Sequence, residues 1–198
     1  MKNKKEVYII GINGGKKGGR VGGYLKTCLD EAEKLGVKTR LINLSDYNIS
    51  SIAKVAHDPE NDSLKEVSNG SDMEEILQEV YKADGIIFAS PVHWFAPSSE
   101  MKLFIDRLTP LENSGFLLEG KVSGFIVYGN EAGKMNALMQ LAAVTNHMGM
   151  FSPPYAMIYF GKEKSSWAEK DLPLLAHNMT SVIKAMKKGK VDFVTTHY

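Results

Sequence analysis

Apolar and polar positions along this chain switch repeatedly between two periods. Val7-Tyr8-Ile9-Ile10 is a short apolar run of the kind a buried strand requires. Leu25, Cys28, Leu29, Ala32 and Leu35 follow at i, i+3, i+4, i+7 and i+10, which predicts a helix with one inward stripe, stopped by Gly36. Residues 37–44 predict a second strand, and residues 45–72, rich in Ser, Asn and Asp, read as loop. Met73, Ile76, Leu77, Val80 and Tyr81 then share one helix face, with Asp72 or Ser71 as the expected cap. Residues 85–89 form a third apolar run. A helix over 98–108 turns Met101, Phe104, Ile105 and Leu108 inward, and Pro110 is expected to close it. A strand over 122–128, a helix over 134–148, a strand over 155–160 and a last helix carrying Leu172, Leu175, Met179, Val182, Ile183 and Met186 complete the pattern.

Strands alternating with helices of crossover length predict one α/β domain over 1–198. Its core is a doubly wound, five-stranded parallel sheet in the order 2-1-3-4-5 with right-handed crossovers. Ligands of such sheets bind beyond the strand C-termini at the switch point, here between strands 1 and 3. Three loops meet at that edge: residues 11–23 after strand 1, 90–98 after strand 3, and 129–133 after strand 4.

The first loop is almost wholly glycine and cations. Gly15, Gly18, Gly19, Gly22 and Gly23 surround Lys16, Lys17 and Arg20, directly before a helix. Bare backbone N–H groups, a positive helix end and unhindered glycines make an anion site there. The P-loop pattern fails, because Gly15-Lys16 is followed by Lys17, and G-x-G-x-x-G occurs nowhere. A ligand with a single phosphate, such as flavin mononucleotide (FMN), suits a looser loop of this kind. The second loop offers Trp94 and Phe95 between Pro91 and Pro97, a stacking surface for a wide aromatic ring.

Charge and cysteine content narrow the classes. A net charge of +1 provides no global field for nucleic acid or membrane. Cys28 is the one cysteine, so this sequence builds neither an internal disulfide nor a thiolate cage for zinc or iron–sulfur. His57, His147, His177 and His197 have no metal-binding spacing among themselves. The basic start is followed by too short an apolar run for a signal peptide, and no stretch is long enough to span a bilayer. A cytoplasmic location is expected.

Ser90-Pro91-Val92-His93-Trp94, followed by Lys102, Phe104, Ile105, Asp106 and Arg107, resembles the middle signature of flavodoxin-like NAD(P)H-dependent FMN reductases. The nearest branch is the iron–sulfur flavoproteins. Their phosphate loop is similar around Gly11, Lys17 and Gly19, and Asn146 to Met150 resembles a helix end of that branch. The branch's cysteine cluster is missing from 45–72, and Ile12, Arg20 and Val21 replace the family's Ser, Asn and Thr. The phosphate must then rest on backbone N–H groups and on Lys17 or Arg20.

The resemblance implies a flavodoxin-like fold and an FMN-binding oxidoreductase. Electrons pass from NAD(P)H through the flavin to a small acceptor such as a quinone or free flavin. The cofactor-binding residues expected are Gly15, Lys17, Gly19, Arg20, Val21 and Gly22 at the phosphate. Pro91, Val92, His93, Trp94 and Phe95 are expected along the ring, with Gly129, Asn130, Glu131 and Gly133 opposite. The flavin carries the chemistry, so no side chain need act as acid or base. A non-enzymatic flavodoxin-type electron carrier is the alternative, disfavoured by the near-neutral charge, and a flavin-free phosphate-binding regulatory domain is a third class. A homodimer or homotetramer is expected, with Trp94, Phe95 and residues 109–118 supplying apolar surface near the ring. Elemental analysis of the purified protein is expected to find no stoichiometric iron, labile sulfide or zinc; a stoichiometric metal would overturn the reading of the lone cysteine.

Overall fold

The computed structural model describes residues 6–51, 72–162, 166–189 and 191. His57, His197 and residues 52–71 of the predicted 45–72 loop, Ser71 among them, lie outside them. The strands are β1 (Tyr8–Asn13), β2 (Lys38–Asn43), β3 (Gly85–His93), β4 (Ala96–Pro97), β5 (Val122–Tyr128) and β6 (Met157–Phe160). The helices are α1 (Arg20–Lys34), α2 (Met73–Lys82), α3 (Ser99–Asp106), α4 (Thr109–Asn113), α5 (Lys134–His147) and α6 (Ser166–Gly189). The parallel strands run β2-β1-β3-β5-β6, which is the expected 2-1-3-4-5 order once the short antiparallel β4 is set aside.

Period-two alternation sends each strand's side chains to two separate cores. Tyr8, Ile10, Ile12, Ile86, Phe88, Phe125 and Val127 face α2, α3, α4 and α5. Ile9, Ile87, Ala89, Val122 and Ile126 face α1 and α6. Gly11 leaves no side chain on the second face, and Leu25 and Leu29 of α1 fill the space: a Cβ there would lie 2.7 Å from Leu25 Cδ1. This contact draws the start of α1 over the C-terminal end of β1. Cys28 is buried in the same interface, and burial pushes its thiol up to about 12.

Four local expectations are corrected. Pro110 does not simply end a helix. It lies in the first turn of α4, where its missing N–H costs nothing. Residues 109–118 are not an exposed apolar surface, because Pro110, Leu111 and Leu118 are buried and Leu117 packs on the core. Asp72 occupies the N-cap position of α2, but its side chain accepts the Asn48 N–H at 2.8 Å rather than capping the helix. Strand β3 also runs on to His93. Ser90 and Pro91 stay in register with Val127 and Tyr128, and Val92 and His93 then pair back with Pro97 and Ala96.

That last pairing makes a two-residue hairpin whose tip is Trp94-Phe95. Both residues have positive φ, 48° and 64°. A hairpin tip of this type is suited by Asn-Gly, which adopts positive φ cheaply. Two bulky L-residues held there cost roughly 1–2 kcal/mol each. Trp94 is 95% exposed and Phe95 53%, so their own contacts do not offset the strain. Replacing the pair by Asn-Gly is expected to raise the unfolding free energy by about 1–3 kcal/mol. Chemical denaturation measures it, and an unchanged or lowered midpoint would contradict the strain.

At the opposite end of the sheet the Tyr8 hydroxyl donates to Glu79 Oε2 at 2.5 Å, with Lys82 at 3.0 Å and Arg40 at 3.3 Å. The Tyr8 hydrogen bond, helped by Lys82 and Arg40 against an opposing desolvation, lowers the Glu79 carboxyl from 4.5 to about 2. The unfolded chain therefore binds a proton in this window that the folded chain refuses. Stability from Glu79 is complete above pH 4.5 and is lost as pH falls towards about 2. Over that interval the melting temperature of the wild type is expected to fall more steeply than that of Glu79→Gln; parallel slopes would contradict the assignment.

Candidate functional site

Three buried polar side chains fix the two loops that leave β1 and β3. Asn13 ends β1 with no exposed surface. Its Oδ1 accepts the Gly15 N–H at 3.0 Å, and its Nδ2 donates to Asn43 Oδ1 at 2.9 Å. Ser98 caps α3 by accepting the Met101 N–H at 3.2 Å, and its hydroxyl donates to the Gly14 carbonyl at 2.6 Å. Ser90 accepts the Ser98 N–H at 2.9 Å, and the Gly14 N–H reaches the Ala89 carbonyl at 2.8 Å. Each buried group is paired, as burial demands, and the pairings join the glycine loop to the loop after β3.

Beyond Gly15 the chain makes a tight turn, with the Gly19 N–H on the Lys16 carbonyl at 2.9 Å and Gly18 at φ 70°. Gly19 is the extended N-cap of α1 and supplies no side-chain acceptor. Gly23 makes the first intrahelical bond, to the Gly19 carbonyl at 3.0 Å. The N–H groups of Arg20, Val21 and Gly22 are therefore the donors left over at the helix start. The first turn holds no acid, so its positive end is not neutralised from within.

The first two of these donor residues, Arg20 and Val21, line a cavity of about 710 Å³, within the range of small-ligand sites. Of the sequence-predicted residues, Gly15, Gly19, Arg20, Val21, Pro91, His93 and Asn130 line it. Lys17 does not. It turns outward to Asp46, at 2.8 Å, which neutralises it. Gly22 is buried behind the wall, its Cα side against Asn13 Nδ2. Val92 packs under the hairpin against Gly129 and Gly133, which brings the third loop to the second without placing any of the three on the cavity. Glu131 is exposed, and its backbone carbonyl, with that of Gly129, accepts from Lys134. Trp94 and Phe95 project from the hairpin tip and line no part of it. The family-signature residues Lys102, Phe104, Ile105, Asp106 and Arg107 are likewise off the cavity: Phe104, Ile105 and Arg107 are buried, and Lys102 pairs with Asp106.

Gly14 and Lys16, which the sequence placed in the anion loop without assigning them to the cofactor, also lie in the wall; sequence reasoning missed Ser45, Glu100 and Tyr128. Tyr128 was legible only as a strand residue. It is the last of β5, at the same edge as the three loops, and that position was the available signal. Its hydroxyl accepts a hydrogen bond from Arg20 and donates to Asn130 Oδ1 at 2.5 Å. One helical turn on, Tyr24 stacks on Phe160 with centroids 3.6 Å apart. Burial raises the Tyr24 phenol above its ordinary range, with Glu169 adding to the shift and Arg20 opposing it.

The cavity has the start of α1 with Lys16 and Arg20 at one end and the strand end with Pro91 and His93 at the other. Among the described residues no cluster of His, Cys, Asp and Glu is placed to hold a metal ion, and no helix is long and apolar enough to cross a membrane.

Comparison with known proteins agrees with this geometry. An iron–sulfur flavoprotein of Methanocaldococcus jannaschii is 30% identical over 122 residues, covering 61% of this chain and 61% of that protein. The alignment thus spans about three fifths of the relative's length. The crystal structure of RosB with a bound 8-demethyl-8-formylriboflavin-5′-phosphate intermediate superposes with a TM-score of 0.80 at 16% identity, over 96% of this chain and 82% of that one. An NADH:FMN oxidoreductase (EmoB) superposes at 0.65 with 19% identity, over 90% and 89%. At these identities the two structures establish the flavodoxin-like fold alone. The profile of the NADPH-dependent FMN reductase family matches residues 7–164, most of the chain and all three loops of the cavity, and the protein belongs to that family.

Proposed function

We propose that this protein is an FMN-dependent oxidoreductase that takes electrons from NAD(P)H and delivers them to a small acceptor such as a quinone or a free flavin. The observation that carries the reading is the α1 start: leftover N–H donors, no acid in the first turn, and Arg20 alongside, all opening on one cavity. A dianionic phosphate is the group such an arrangement fits. The glycines there have no Cβ to obstruct it; at Gly19 a Cβ would collide with the Lys16 carbonyl at 2.8 Å. The N–H groups of Arg20 and Val21 and the Arg20 guanidinium would hold the phosphate. The backbone from Pro91 to His93 and the Asn130 loop would border the ring.

Bound FMN supplies hydride acceptance from a nicotinamide and electron transfer onward. The chain's own part is binding, orientation and the exclusion of water. The strain stored at Trp94-Phe95 marks the hairpin as a feature kept for contact rather than stability. Trp94, Phe95, Met135 and Met139 are all exposed, and we propose that they contribute to a homo-oligomer in which the ring end of the cavity is covered.

Titration calorimetry with FMN and with riboflavin tests the reading, together with absorbance of the loaded protein and NAD(P)H oxidation with an added quinone. FMN is expected to bind at least tenfold more tightly than riboflavin, a difference of about 1.4 kcal/mol. Equal affinities would sink the phosphate assignment. Tight FMN without NAD(P)H oxidation would move the protein to the electron-carrier class.

A further inference from the structure

We propose that Tyr128 is a positioning residue for the phosphate site: its hydroxyl holds the Arg20 guanidinium on the cavity side and away from a competing carboxylate. The proposal rests on the FMN reading above and assigns a role to a residue that reading does not need.

Arg20 is the first residue of α1, and its side chain borders two spaces. One is the cavity. The other is a groove of about 510 Å³ on the far side, whose wall includes Tyr24, Lys162 and Glu169. Arg20 and Glu169 both act on the Tyr24 phenol, in opposite directions, so the guanidinium and the carboxylate share one neighbourhood. Both residues line that groove, so a turn of the Arg20 side chain towards it would bring a cation towards the Glu169 carboxylate. Instead, Arg20 Nη1 donates to the Tyr128 hydroxyl, and its guanidinium carbon lies 5.4 Å from the Tyr128 ring centroid.

Tyr128 is well placed to hold it. As the last residue of β5 it is in register with Pro91 of β3 on one side and Phe160 of β6 on the other. Its hydroxyl is turned by Asn130, whose Oδ1 accepts at 2.5 Å. The Tyr24–Phe160 stack makes a second rung between the same helix and the neighbouring strand. The relay Arg20–Tyr128–Asn130 thus ties the first loop to the third, and all three residues line the cavity.

The partner's charge matters as much as its position. Lys17 is neutralised by Asp46. A phenol hydroxyl is a neutral acceptor, so Arg20 keeps its full charge for an incoming anion and has already given up rotamer freedom before binding. Pre-aimed charge takes the place of the Ser, Asn and Thr side chains that Ile12, Arg20 and Val21 replace in this loop.

Calorimetry with FMN and riboflavin on the wild type, Tyr128→Phe, Arg20→Ala and the double variant tests this. Tyr128→Phe keeps the ring and its strand packing and removes only the hydroxyl. It is expected to weaken FMN by about fivefold to twentyfold, the scale of one hydrogen bond to a charged group, while riboflavin stays within about twofold. On the Arg20→Ala background the same change is expected to do nothing, because the residue it positions is gone. Adding Glu169→Gln to Tyr128→Phe is expected to restore part of the FMN affinity. An equal loss for both ligands would make Tyr128 a structural support of the ring end and overturn the proposal. So would an unchanged FMN affinity, or an equal FMN loss without Arg20. If Tyr128→Phe does not fold, Asn130→Ala removes the hydroxyl's acceptor instead and is expected to lower FMN against riboflavin by about twofold to fivefold; no change in that ratio overturns the proposal. A wild type that binds both ligands equally brings down the FMN reading itself, whereas a wild-type preference that survives in Tyr128→Phe brings down this inference alone.

Discussion

The site depends on the need to satisfy polar groups buried at the C-terminal ends of β1 and β3. Asn13, Ser90 and Ser98 have no exposed surface, and each is paired with backbone of a neighbouring loop. A group of this kind left without its partner costs about 1–3 kcal/mol. The cheapest arrangement is therefore the one in which the glycine loop, the β3 extension and the start of α3 lock together. With that lock in place the start of α1 opens on the cavity, and its unused N–H groups become a feature of the site. Gly11 cooperates from below by letting Leu25 and Leu29 of α1 settle directly on β1.

Two features of the ring end contrast with this economy. The hairpin tip holds two aromatic residues at positive φ and leaves them exposed. The outer face of α5 adds Met135 and Met139, both more than half exposed. A fold that pairs every buried serine elsewhere does not spend strain on a surface turn without a use for it. An apolar, preformed edge beside a cofactor cavity suits a contact made with something else, either another copy of the chain or an aromatic ligand. The phosphate end is self-sufficient by comparison, with its charge aimed by Tyr128 and its turn closed by backbone bonds.

Much of the molecule was legible in its periodicities. The alternation of strand and helix patterns gave the parallel order, because buried strands read as continuous apolar runs and covering helices as stripes of 3.6 period. Glycine and cation content alone singled out the loop at residues 11–23, and the structure places several of its residues in the cavity wall. Pro110 and the aromatic pair Trp94-Phe95 were misplaced, and Asp72 holds its expected cap position without making the capping hydrogen bond. A proline suits the first turn of a helix as well as its end, an aspartate at a cap position has more than one N–H within reach, and an aromatic loop can turn outward as readily as inward.

The sequence by itself therefore determined the fold class, the sheet edge at which the three loops gather and the glycine-rich, cationic character of the first of them. All of these follow from local composition and from periods of two and 3.6. Only the tertiary structure decided how the loop cations divide: Lys16 and Arg20 line the cavity and Lys17 does not. Lys17 and Arg20 are equivalent in sequence, both being cations on a glycine loop. They part because Asp46, 29 residues on, lies within reach of one, and Tyr128, 108 residues on, lies within reach of the other. Separations of that length are set by how β2 and β5 flank the sheet centre, and no local pattern records them.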